Sequence, residues 1–597
     1  MAGRPLHTRL RVAGWLRLGA PLHVGGLGLD ADVDLTVAVD GQSRLYVPGT
    51  SLAGVFRSWL VGEADVTDVD ERSPLALWGY ALRADADPDD PGERRGRRVA
   101  APEARASRIV VRDALVCARR PADPITPPGD EELLAPARLE VRTSVGIDRH
   151  SATAADRILY SRAVVPAGAY LHLELDVESG ADPAVQALDR ARLGALLGAL
   201  AAGELRLGAA VSRGLGKVQL DEDVHIVEHD LTSRAGLLAF LRDPTGENGV
   251  PGSPRVQLAD LRGADDYRTP VELLTVTIDW APRAPVMVRA DRAGLVADTL
   301  PLAGAGGEPD DAGKVRLVLP GSSLKGAWRA HAERILRTTA GRPVAASATS
   351  APEEFHDQLR DECLRPAWAL FGEPPRAARA AGGEFDVDGV PWGRGALRVD
   401  DCVSARPLDA GEWGLLVRGE PSSRVVAEGL PDDDSRFTRQ LRNWLAEAGL
   451  AQADHVAIDR WTGGAADKLL FSVLEPWRVA WRPLTLTLDV TRLRQLDAGS
   501  ADAAPVDAAP RWQVVVALLL LLLRDLSAGR IPLGGSVNRG FGDVAVSRVG
   551  LRWTGRSPAG SPPDGEVTLA DLLGTELGAE LVDAWRAYHL DREGAAA

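Results

Sequence analysis

The residues best placed to do chemistry sit in short motifs that occur twice. PGTSLAGVFR begins at Pro48 and PGSSLKGAWR at Pro320. In each, a Pro-Gly turn precedes apolar residues at helical spacing, so the segment is expected to open a helix. A helix N-terminus presents unpaired backbone N–H groups and a partial positive charge, which suits a phosphate. Ser51 (or Thr50) and Ser323 are therefore read as caps or as phosphate donors. Arg57 and Arg329, about a turn and a half further on, are phosphate contacts or solvated charges. Lys325 stands where the first copy has Ala53 and is read as a point charge for phosphate.

A second pair is LGAAVSRGLGKV from Leu207 and LGGSVNRGFGDV from Leu533. Its glycines permit positive φ and close backbone approach. Arg213 and Arg539 sit where a planar cation can clamp a phosphate, or where an ordinary turn carries a surface arginine. Lys217 in the first copy faces Asp543 in the second. A third pair is GIDRHSATAADRILY from Gly146 and AIDRWTGGAADKLLF from Ala457. Asp148 and Asp156 match Asp459 and Asp467, with Arg149 and Arg460 after the first acid. These carboxylates read as local hydrogen-bond or salt-bridge partners. Acidic loops precede the Pro-Gly motifs, GLGLDADVDLTVAVDG and GLVADTLPLAG. Setting VDLTV against ADTLP places Asp34 opposite Asp298, with Asp30 and Asp32 crowding the same loop. His23 has no counterpart, since PLHVGG becomes PVMVRA, and reads as packing or as a contact of the first half alone. His225 and His229 lie in a strand-like acidic segment where no zinc site is expected.

Motifs recurring in one order at long range indicate a tandem duplication. The expected organisation is a first domain over 1–228, a linker over 229–268, a second domain over 269–555 and a tail with a helix over 556–597. Each half reads as strand, turn and helix, two strands, helix, Gly-rich loop, strand. This is an α+β pattern with an antiparallel sheet and helices on one face. The Pro- and acid-rich stretch 119–139 reads as a protruding loop or hairpin, and 304–313 as an insertion of the second half.

The 597 residues are 45% hydrophobic and 26% charged, ordinary for a globular protein. Three scattered cysteines, Cys117, Cys363 and Cys402, suit neither a disulfide framework nor a zinc site and favour a reducing, cytoplasmic setting. The N-terminus has no apolar signal core. The apolar run 514–523 is about half of the ~20 residues a bilayer span needs, so it reads as a core helix and no membrane partner is expected. A net charge of −15 argues against long-range attraction to nucleic acid, so any RNA role rests on local motifs.

The ordered set is a first strand ending in HVGG or MVRA, the PG(T/S)SL helix start, the IDR…AAD segment and the late RG(L/F)G loop. Occurring twice, it resembles the RAMP superfamily, specifically the backbone subunits of type III CRISPR effector complexes. The resemblance implies two tandem ferredoxin-like, RRM-related domains, each with a protruding thumb hairpin that disrupts the guide–target duplex. Ser51, Arg57, Arg149, Arg213, Lys217, Ser323, Lys325, Arg329, Arg460 and Arg539 are then the candidate RNA contacts. Active family members cut target RNA with an Asp in the loop after the first strand, a position matched by Asp34 and Asp298. The same two residues are the candidate ligands of Mg2+ or a similar divalent cation. Implied partners are the CRISPR guide RNA, the target RNA and other effector subunits. A non-catalytic scaffold of the same fold is the alternative. A lone guide-processing ribonuclease is disfavoured by the lack of a shared histidine.

Overall fold

The first strand of each half is its organising element. In β1 (Thr8–Leu18) the fully buried Val12, Leu16 and Leu18 are set among arginines that reach the edge. β1 is followed by α1 (Gly49–Val61), β2 (Ile109–Val111), a hairpin of β3 (Glu140–Ile147) and β4 (Ala154–Val164), β5 (Tyr170–Ser179) and α2 (Pro183–Ala201). A final strand is split into β6 (Val218–Leu220) and β7 (His225–Asp230). β1 pairs antiparallel with β5, from Thr8↔Ser179 to Arg17↔Tyr170, and β6 and β7 pair with its other edge. β2 pairs with β5. The computed structural model describes residues 6–26, 33–62, 72–81, 104–247, 253–261, 271–295, 297–344, 352–373, 393–417, 436–498, 511–555 and 565–596. Asp30 and Asp32 lie outside these.

The second half repeats the plan with β8 (Leu273–Pro282), α3 (Gly321–Ala340), β9 (Leu397–Val399), a hairpin of β10 (Leu450–Ile458) and β11 (Ala465–Pro476), β12 (Leu484–Asp489), α4 (Trp512–Ser527) and β13 (Val544–Thr554). Its strand order is β9–β12–β8–β13. Counting only the four core strands of each half, both sheets run fourth, first, third, second, the split-βαβ order of ferredoxin-like folds.

The helices pack by their apolar stripes. Leu52, Phe56 and Leu60 line α1, and Leu324, Trp328, Ala332 and Leu336 line α3, each four residues apart on one face. The apolar run 514–523 lies in α4, buried in the second core beneath α5 (Glu576–Ala596). Among the described residues no helix is long and apolar enough to cross a membrane.

One expectation is corrected. The stretch 229–268 is not a bare linker: β7 runs through Asp230, a helix follows at Arg234–Arg242, and Leu258–Leu261 packs against Gly194 of α2. The stretch 119–139 is, as expected, a loop closed like a hairpin: Leu133 bridges back to Cys117 and Ala118 N donates to Glu132 O, with a 3-10 turn following at Pro136–Arg138. The IDR segment forms the tip of the β3–β4 hairpin. The inserted residues 304–313 link a strand at Ala303–Ala305 to one at Lys314–Leu319.

Candidate functional site

The acidic loop after the first strand is built identically in both halves. Leu35 makes a parallel bridge to Arg162 of β4, and Thr299 makes the same bridge to Val473 of β11. Each bridge carries two backbone bonds: Leu35 N to Ser161 O and Ala163 N to Leu35 O, then Thr299 N to Ser472 O and Leu474 N to Thr299 O. The loop is thereby fastened to the return strand of the hairpin, so hairpin and carboxylate are held as one unit.

The acid preceding each bridge is locked to a serine. Asp34 Oδ2 accepts from Ser161 N (2.7 Å) and Ser161 Oγ (2.9 Å), while Asp34 N donates to Ser161 Oγ (3.0 Å). Asp298 Oδ2 accepts from Ser472 N (2.8 Å) and Ser472 Oγ (3.1 Å), and Asp298 N donates to Ser472 Oγ (3.0 Å). Both acids are exposed. The backbone and hydroxyl bonds from Ser161 hold the Asp34 carboxyl below its ordinary range, so it is an anion at neutral pH. Ser161 and Ser472 were not singled out in the sequence, although YSRA and FSVL follow the matched AAD segments in register.

The Gly-rich loops close over the same strands. Ala210 and Gly214, like Ser536 and Gly540, take left-handed backbone around a 3-10 turn ending in Arg213 or Arg539. A Cβ on Gly208 would lie 2.2 Å from His23 O, and one on Gly534 would lie 2.5 Å from Met287 O, so only glycine allows this approach. Arg213 donates to the Tyr160 hydroxyl (2.9 Å), and Arg539 lies over the Phe471 ring at 5.4 Å. Tyr160 and Phe471 immediately precede the two serines. In the second half a cavity of about 360 Å3 gathers Asp298, Arg289, Arg539, Phe471, Phe541 and His455. His455 stacks on Phe471 and is bonded to the buried Glu475 (2.9 Å). Ser144 and Val164 hold the corresponding places in the first half, so the two sites share an acid, a serine and an arginine but not their walls.

The Pro-Gly motif departs from expectation. Neither helix has a side-chain cap, so Ser51 and Ser323 do not cap. The first N–H of α1, on Gly49, donates to Asp113 Oδ1 (2.7 Å), and that of α3, on Gly321, donates to Asp401 Oδ1 (2.7 Å). The anion at each helix start is the protein's own carboxylate, which the dipole favours. Lys325 is also misjudged by the sequence reading. It is 6% exposed and donates to Leu397 O (2.7 Å), beneath the junction where the first half's Gly-rich loop meets α3. Arg329 is half-buried and paired with Glu333 (2.7 Å). Arg149 pairs with the same Glu333 (2.6 Å) across the junction. Arg57, Lys217, Arg213, Arg460 and Arg539 are exposed. Asp148 and Asp459 close their hairpin tips by accepting from the backbone two and three residues on. His23 is buried against Ala163 O (2.7 Å), and His225 and His229 bond to Thr245 O and Ser253 Oγ.

Burial at the junction pushes the Asp401 carboxyl up to about 6 and the Lys325 ammonium down to about 7. The folded chain thus keeps a proton on Asp401 that the unfolded chain, titrating near 3.8, has lost. The stability this proton confers is full below pH 3.8 and is lost as pH rises to about 6. For Lys325 the unfolded chain holds the extra proton, so stability recovers between about 7 and 10.5. Urea midpoints measured across pH are expected to lose the fall when Asp401→Asn is made and to lose the rise when Lys325→Met is made.

Fold and site together define a tandem pair of ferredoxin-like domains, each with an acid–serine anchor at the root of a hairpin. The RAMP superfamily model matches residues 15–219 and again 301–545, and the chain belongs to that family. Membership associates it with RNA and with CRISPR complexes. No curated protein matches the chain.

Proposed function

We propose that the chain is a fused double backbone subunit of a type III CRISPR ribonucleoprotein that binds guide RNA and cuts complementary target RNA at two consecutive places. The observation that carries this reading is the duplicated anchor: an exposed carboxylate fixed to the root of a hairpin in each half. As the hairpin enters the guide–target duplex it displaces a nucleotide, and the carboxylate travels with it to the splayed backbone. RNA brings its own nucleophile. With the 2′-oxygen, the phosphorus and the leaving 5′-oxygen in line, positioning removes much of the barrier. Asp34 or Asp298 orients the 2′-hydroxyl and takes its proton; the P–O2′ bond forms, the P–O5′ bond breaks and the 5′-oxygen is protonated by water. The products are a 2′,3′-cyclic phosphate and a 5′-hydroxyl.

Among the described residues no group of three His, Cys, Asp or Glu side chains is placed to hold a metal. Each acid–serine anchor offers, among the described residues, one carboxylate, which fits a divalent ion shared with RNA phosphates and water rather than one caged by protein. Asp34 and Asp298 would hold such an ion, which when bound would neutralise charge at the phosphate.

Reconstitution with guide RNA and companion subunits, followed by incubation with end-labelled target, tests the reading: two cuts are expected, and an intact target sinks it in favour of a scaffold. Ser161→Ala and Ser472→Ala each slow only their own cut, by roughly tenfold, as expected for loss of positioning. Because the Ser161 bonds lower the Asp34 pKa, Ser161→Ala also moves the acid limb of the first cut's pH profile upward.

A further inference from the structure

A histidine on the hairpin of the second half is built into the same cavity as Asp298. His455 of β10 lies directly opposite Phe471 of β11. Its ring stacks on the Phe471 ring at 5.3 Å, with 13° between the planes, and Phe541 of the Gly-rich loop meets it edge-on at 6.4 Å. The two aromatic neighbours fix the plane of the imidazole. Its Nε2 is bonded to Glu475 Oε1 (2.9 Å). Glu475 is 3% exposed, and its other oxygen accepts from Trp477 Nε1 (2.6 Å). The second ring nitrogen, Nδ1, has no hydrogen-bond partner among the described residues. The cavity wall that carries this ring also carries Asp298, Arg289 and Arg539.

Imidazole is the side chain that exchanges protons near neutral pH. A carboxylate bonded to one of its nitrogens fixes which nitrogen faces the site and steadies the ring through a proton transfer, the division of labour of a nucleophile–base–orienter set. The repeat shows that this arrangement belongs to the second half alone. Ser144 pairs with Tyr160 where His455 pairs with Phe471. Val164 takes the place of Glu475 and Leu215 that of Phe541. The first half therefore has the acid–serine anchor and the loop arginine, but no imidazole and no carboxylate to orient one.

We propose that His455 is the general acid of the second cut, giving its Nδ1 proton to the departing 5′-oxygen, a task left to water in the first half. The role rests on the cleavage proposed for Asp298. Asp298 takes the proton of the 2′-hydroxyl and the P–O2′ bond forms. The P–O5′ bond breaks, and the proton on His455 Nδ1 passes to the 5′-oxygen as it leaves. Asp298 ends protonated and His455 neutral, and each is reset by exchange with water. In a displacement of this kind the attacking and leaving oxygens lie on opposite sides of phosphorus. Base and acid must then come from different elements. Asp298 comes from the loop after β8, and His455 from the outgoing strand of the hairpin. Arg289 and Arg539, exposed on the same wall, are placed to pair with the non-bridging oxygens. Glu475 touches neither substrate nor phosphate in this scheme and is a positioning residue.

The test uses the reconstituted ribonucleoprotein with two targets: ordinary RNA, and RNA with sulfur in place of the bridging 5′-oxygen at the second scission point. A thiolate leaves without being protonated, so the sulfur target needs no acid. His455→Ala is expected to slow the second cut of ordinary RNA about a hundredfold, within the 10²–10⁴ a positioned acid supplies. The same variant is expected to cut the sulfur target at close to the parent rate. His455→Ser, which installs the residue of the first half, should behave alike. Glu475→Gln is expected to slow the second cut about tenfold, again relieved by sulfur, as loss of positioning. Asp298→Ala is expected to slow both targets. The first cut, unchanged throughout, reports that each variant folds and assembles. A second cut that His455→Ala leaves at full speed overturns the proposal. So does a slowing that sulfur fails to relieve, since the ring would then serve packing alone. A parent complex that leaves both targets intact sinks the cleavage reading itself, an outcome distinct from either.

Discussion

Asp34→Ala is expected to abolish one of the two cuts in the reconstituted ribonucleoprotein, and Asp298→Ala the other, each by at least about a hundredfold with target binding unchanged. A positioned general base accounts for roughly 10²–10⁴ in rate. No neighbouring carboxylate among the described residues is tied to the hairpin root as these two are. The asparagine variants separate charge from geometry. The amide oxygen of Asp34→Asn can still accept from Ser161 N and Oγ, so the loop stays on the hairpin while the negative charge is gone. A loss as deep as in the alanine variant then assigns the effect to the charge. A gel of end-labelled target resolves the two product lengths, and each single variant keeps the other cut as its internal control. Survival of both cuts in the double variant would remove the catalytic role from these residues and leave a guide-binding scaffold.

The pairing of Asp34 with Asp298 was legible because the duplication aligns the two loops, and the structure supports it by repeating every bridge and backbone bond of the loop 264 positions later. An antiparallel sheet with helices on one face was legible from the alternating apolar strands and two helices per half, whereas the ferredoxin-like order came from the family resemblance. The errors came where distant chain decides a local environment. Lys325 follows Leu324 on a helix whose pattern alone puts a lysine in solvent; it is buried because another domain's loop lies over it. The Pro-Gly helix starts looked ready for phosphate because the carboxylates that occupy them, Asp113 and Asp401, arrive from strands 64 and 80 residues downstream. The apparent linker is rich in Gly, Pro and Asp, yet after the end of β7 it lays two short helices on the first domain, at Arg234–Arg242 and Leu258–Leu261.

Gly214→Ala and Gly540→Ala should separate sharply in stability, although the residues are counterparts with φ of 98° and 89°. Placing an L-residue in left-handed backbone costs about 1–2 kcal/mol, and that penalty is common to both. At Gly540 nothing further is met, so about 1–2 kcal/mol is the whole expected cost. At Gly214 the new methyl would fall 2.0 Å from Asp401 Oδ1 and 2.8 Å from Asp401 N, so the strand end or the loop must move. Overpacking of this kind adds roughly 1–3 kcal/mol. Displacing Asp401 also endangers its bond to Gly321 N, a further ~1 kcal/mol. Gly214→Ala is therefore expected to cost about 3–6 kcal/mol in urea denaturation, with hydrogen-exchange protection lost first at the start of α3. Unfolding of two packed domains need not be two-state, so the exchange measurement locates the loss where a midpoint alone does not. Equal costs for the two variants would mean that the halves do not pack through the Gly214–Asp401 contact.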